Sequence, residues 1–113
     1  MKTSEFLIKA KSLIADPENW TQEDYARDSK GDGCFWNEPQ ATCFCSIGAL
    51  YKVGGLEKRT YQLPYNVKQS CDLLKQQMEG YVPAFNDSHT HEQVMQAWDR
   101  AIAQAVADEE KEG

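Results

Sequence analysis

The chain has 113 residues, 41% of them hydrophobic and 27% charged, with a net charge of −6 and a pI near 4.8. This is too apolar for a disordered chain, and the length fits one domain with its own core. The acidic balance argues against nucleic acid as a direct partner, because that affinity rests on Lys and Arg neutralising phosphates; a basic protein surface fits better.

The opening stretch, MKTSEFLIKAKSLIADPENW, lacks the unbroken apolar run of a signal peptide, since Lys9 and Lys11 interrupt it. No window reaches the roughly 18 consecutive apolar residues of a membrane helix. The expectation is a cytoplasmic protein with no membrane contact, in which Cys34, Cys43, Cys45 and Cys71 remain free thiols.

In SEFLIKAKSLIA, the residues Phe6, Leu7, Ala10, Leu13 and Ile14 share one helical face, Ser4 is placed to cap, and Pro17 discourages continuation. NWTQEDYARDSKGDG reads as a short helix capped at Thr21, with Trp20 and Tyr25 turned to the core, followed by a solvent loop. In NEPQATCFCSIGALYKVGG, Pro39 opens and Gly54 with Gly55 closes a central helix over residues 39–53, apolar around most of its circumference. LEKRTYQLP is a connector. Asn66 and Gln69 then start a helix carrying Val67, Cys71, Leu74 and Met78, which Gly80 ends. YVPAFNDSHT reads as loop, and Thr90 with Gln93 opens a last helix with Val94, Trp98, Ala101, Ile102 and Ala105 on its buried stripe. The sum is an all-α, compact bundle of four main helices plus one short helix, forming a single domain over 1–107 with an acidic frayed tail at 108–113.

Three stretches, NWTQEDYARDSKG, CFCSIGAL and VPAFNDSHTHEQVMQAWDRAI, read together. Their order and spacing resemble a family of small bacterial and bacteriophage proteins catalogued as a domain of unknown function, number 6197. The resemblance is carried by Trp20, by Cys45, Gly48, Ala49 and Leu50, and by Phe85, Asn86 and Asp87. It implies a bacterial or phage origin, hence the host cytoplasm if phage-encoded, and a compact domain without an assigned activity. Cys43, His89 and His91 fall outside the pattern.

Several groups of residues bear chemistry. Cys43, Cys45, His89 and His91 are zinc-type ligands, but two residues apart on a helix the two cysteines would point about 200° from each other. Cys45 or Cys43 with His89 or His91 as base and Asn86 or Asp87 as orienter composes a thiol nucleophile on paper. Against this stands the reading that the cysteines are core, with Cys45, Gly48 and Ala49 letting neighbouring helices approach closely, and that Asn86 and Asp87 stabilise a turn. Asp24, Asp28, Asp32 and Glu38 around SKGDG lack a calcium-loop register and read as a solvated acidic loop. Phe35 and Trp36 either staple the following helix or anchor a partner. The functional expectation is a small acidic non-enzymatic binding protein that docks on a protein partner through Phe35, Trp36, Asn86 and Asp87, without a cofactor. The partner class suggested by the phage resemblance is a host nucleic-acid-binding or defence protein. The alternative is a thiol or zinc-dependent enzyme using Cys45 with His89 or His91.

Overall fold

In the computed structural model, which describes residues 1–112, the first apolar stripe becomes α1 (Thr3–Ile14), with Phe6, Leu7, Ala10 and Ile14 buried. Ser4 is buried one position inside this helix and does not cap it. The acceptor for its free N–H comes from the far end of the chain: the Glu109 carboxylate takes a hydrogen bond from Ser4 N at 3.0 Å and a second from Ser4 Oγ. A carboxylate suits this position, since a helix N-terminus carries unpaired N–H groups and the positive end of the dipole.

A single 3-10 turn (Pro17–Asn19) leads into a small sheet made of β1 (Ala26–Arg27), β2 (Gly33–Cys34) and β3 (Cys43–Phe44). All pairings are antiparallel and the order is β2-β1-β3, with Ala26 opposite both Cys34 and Phe44. Between β1 and β2, Asp28 accepts at Oδ1 from Lys30 N and Asp32 N, and Gly31 at φ 85° makes the turn. The Asp28 carboxylate, just before SKGDG, thus uses its charge to hold a hairpin.

This sheet overturns the all-α expectation. The helix expected over 39–53 begins only at α2 (Ser46–Val53), because residues 43–44 pair with β1 and Cys45 N donates to Tyr25 O at 3.1 Å. The short helix expected after Thr21 does not form; β1 and the hairpin occupy that stretch. Strands of two residues carry too little alternation to announce themselves, and their pairing is set by distant segments.

α3 (Tyr65–Gln77) follows Pro64 and ends where Glu79 and Gly80 take φ of 59° and 94°. α4 (Val82–Ser88) occupies the stretch expected as loop, with Pro83 in its first turn, where a missing N–H does no harm. α5 (His91–Glu112) opens on the capping box read from the sequence: Gln93 N donates to Thr90 Oγ1 and Thr90 N to Gln93 Oε1. It stays helical through Glu112, where a frayed tail from 108 was expected. The core contains Leu7, Ile14, Leu50, Leu74, Val94 and Trp98, with α5 packed on α1 and α3. Among the described residues no helix is long and apolar enough to cross a membrane.

Gly48 fixes how closely α2 meets the sheet. A Cβ there would lie 2.0 Å from the carbonyl oxygen of Tyr25, so only glycine permits this approach.

Candidate functional site

Asn86 on α4 is 1% exposed, and its side chain joins three segments. Its Oδ1 accepts from Trp20 Nε1 at 2.9 Å, Ser46 N at 3.1 Å and Ser46 Oγ at 2.8 Å, while Nδ2 donates to Thr21 O at 3.0 Å. Ser46 Oγ in turn accepts from Trp98 Nε1 at 3.0 Å. A buried amide needs both its donor and acceptor ends satisfied, and here both are. Gln22 Nε2 adds bonds to the Asn86 and His89 carbonyls at 3.1 Å each. The network locks the segment before β1 against the start of α2 and the second half of α4.

Those locked elements enclose a cleft of about 380 Å³. Glu23, Asp24 and Tyr25 line one side, with Cys34 of β2; Cys45 and Ile47 come from the start of α2, and Tyr81, Pro83 and Asp87 from α4 and its cap. A second hollow of about 250 Å³ shares Tyr25, Ile47, Tyr81 and Pro83 and adds Tyr51 and Arg59, so the two adjoin along these four residues as a groove. Glu23 has φ 73°, an unfavourable backbone conformation for a residue with a side chain, and Asp87 Oδ1 holds it there through a 2.8 Å bond from Glu23 N. Asp24 is paired with Arg27 at 2.9 Å. Tyr25 is set by an edge-on contact with Trp36 and by Tyr51 stacked 6.1 Å away. Among the described residues a larger cavity, about 590 Å³, lies between the starts of α1 and α3 and the end of α5, but its Glu109 is already engaged by Ser4.

Both thiols in the cleft hold their protons more tightly than an ordinary cysteine. Burial pushes Cys45 up to about 11, outweighing the hydrogen bond its Sγ accepts from Gly48 N as the cap of α2. Cys34 is raised too, by burial first and then by the charges of Glu38, Asp28 and Asp24. A protonated, buried thiol is a poor nucleophile.

The other residues singled out in the sequence are dispersed. His91 donates from Nε2 to Ile14 O at 2.7 Å and packs edge-on against Trp20. His89 stacks on Phe85 with Nδ1 2.9 Å from Phe85 O. Both imidazoles are engaged with backbone carbonyls, and Cys43 Sγ faces Arg27 O. Among the described residues no three His, Cys, Asp or Glu side chains gather as a metal site. Of the two readings for Phe35 and Trp36, the residues divide: Trp36 is 1% exposed with Nε1 bonded to Leu56 O, so it is core and no surface anchor, while Phe35 is 57% exposed. Asn86 is buried and structural; Asp87 lines the cleft. Sequence reasoning missed Tyr25, Tyr81, Ile47, Cys34 and Glu23 as one site. Pro83 two residues after Tyr81 was the available signal, since a proline in a first turn marks a helix, which would put Pro83 and Asp87, four residues apart, on a common face.

Residues 1–104 match the family described as Family of unknown function (DUF6197), and the chain belongs to that family. No curated protein matches it, and no solved structure does.

Proposed function

We propose that the protein is a non-enzymatic binding module that docks on a protein partner through the groove between Tyr25, Ile47 and Tyr81. The observation that carries this reading is the groove itself: an apolar and aromatic lining with carboxylates Glu23, Asp24 and Asp87 at one end, held open by the buried Asn86 network. Specific sites commonly combine a concave, largely preformed hollow with a few convergent polar groups. Tyrosine is favoured at such surfaces because it offers contact area at small conformational entropy. On a chain of net charge −6, this groove selects a basic partner surface. Covering such a surface would inhibit a partner that uses it to hold nucleic acid.

The test compares partner capture from cells of origin by the wild-type chain, by Tyr81→Ala in the groove and by Tyr61→Ala on the exposed connector. Polypeptides held by the wild type and Tyr61→Ala but released by Tyr81→Ala are the expected result. Identical sets from all three chains would remove the groove as a docking surface.

A further inference from the structure

We infer that the acidic end of the groove receives the side chain of an arginine on an extended basic segment, its guanidinium seated between the tyrosines and the carboxylates. This rests on the binding reading above and names its guest.

Three observations lead to it. The first is charge: Glu23, Asp24 and Asp87 line the cleft, while Arg27 is bound to Asp24 and Arg59 lines the adjoining hollow, so three carboxylates stand against two cations and the site stays net negative. Asp87 uses only Oδ1 within the protein, for Glu23 N and Asn86 Nδ2, which leaves Oδ2 without a donor among the described residues. The second is the aromatic lining. Tyr81 is 65% exposed and has no ring partner among the described residues, while Tyr25 is fixed from behind by Trp36 and Tyr51. A planar guanidinium stacks on tyrosine faces and offers paired N–H donors to a carboxylate, whereas an ammonium offers a point charge. The third is the floor of the cleft: Cys45, more than nine-tenths buried, and Ile47 line it beside the carboxylates, and an ion pair formed against such an apolar floor is screened less than one in open water. A cleft of about 380 Å³ has room for one such side chain and its flanking backbone.

Titration of the full chain with three blocked tripeptides, acetyl-Gly-Arg-Gly-amide and its Lys and Gln counterparts, followed by NMR at low salt, tests this. The Arg peptide should shift the amides of Cys45, Ile47 and Asp87, bind more tightly than the Lys peptide, and leave the Gln peptide without effect. Glu23→Gln and Tyr81→Ala, both at exposed positions, should each weaken binding about three- to fivefold, with unchanged circular dichroism. Equal binding of Arg and Gln, binding of Lys as tight as Arg, or shifts confined to another face would overturn the assignment. If the tripeptides fail while partner capture still depends on Tyr81, the groove keeps its docking role and loses this guest.

Discussion

Ser46 and Asn86, 40 residues apart in the chain, meet side chain to side chain at 2.8 Å in a place where neither is more than 1% exposed. That bond joins α2 to α4, and with Trp20, Thr21 and Trp98 bound to the same pair it fixes the walls of the groove.

Replacing Asn86 by Ala should therefore be severe. It would leave Trp20 Nε1, Ser46 N and Thr21 O without this partner, and each buried polar group left unpaired costs about 1–3 kcal/mol. A total loss of about 3–5 kcal/mol is expected in urea denaturation. Asn86→Ala and Ser46→Ala should also be strongly non-additive in a double-mutant cycle. A loss below about 1 kcal/mol would mean that water replaces the amide with ease.

At Gly48 even one methyl group should be felt. Its carbon would stand 2.0 Å from the Tyr25 carbonyl, a backbone atom that also accepts from Cys45 N. Gly48→Ala is expected to destabilise by about 1–3 kcal/mol or more, despite the better helix propensity of alanine. Thermal melting decides it, and a melting temperature equal to or above the wild type's would refute the close approach.

The thiols give a pH dependence at the alkaline end. Cys45 and Cys71 are each pushed by burial from the ordinary value near 9 up to about 11. Between those values the folded chain keeps protons that the unfolded chain has released, so stability falls as the pH rises through that window and is unaffected by these groups below it. Urea midpoints at pH 8, 9, 10 and 11 should decline less steeply in a Cys45→Ala, Cys71→Ala double variant. In the same state Cys45 should react with a thiol reagent only as fast as the protein opens, whereas rapid modification at neutral pH would restore the case for a nucleophile.

Glu109 gives the opposite sign at the acid end. The two hydrogen bonds from Ser4 lower its pKa below the ordinary carboxylate value, so its contribution is present above pH 4.5 and lost as the pH falls through the lowered value. Glu109→Gln should loosen the last turns of α5 and remove that acid-side dependence. Hydrogen exchange of the amides from 105 to 112 measures it, and unchanged protection would show that packing of Ala105 alone secures the helix end.

The long helices were legible because their signals are local. The stripe of Phe6, Leu7, Ala10 and Ile14 and the box of Thr90 and Gln93 each lie within a few turns of chain, and both reappear as read. The beginning of α2 was not legible. Pro39 offered a plausible start, whereas the true start depends on β3 pairing with β1 and on Cys45 bonding to Tyr25, partners that come from 15 or more residues away. The candidate site was harder still. Asn86 and Asp87 are adjacent turn-forming residues with equal local signals, yet one is sealed in the core and the other lines the cleft, because Ser46 and Trp20 arrive from elsewhere to engage only the first.

The Ser4 to Glu109 bond has a mechanical side. Lys11 meets Asp99 further along the same two helices, so α1 and α5 run antiparallel with residues 4 and 109 at one end. Tension applied through the two ends of the described chain would load this pair as a zip rather than in shear, breaking its links one after another. The Ser4 clasp would be the first to open and the Lys11 bridge would follow, while the groove, built from the intervening segments, would be among the last parts to feel the pull.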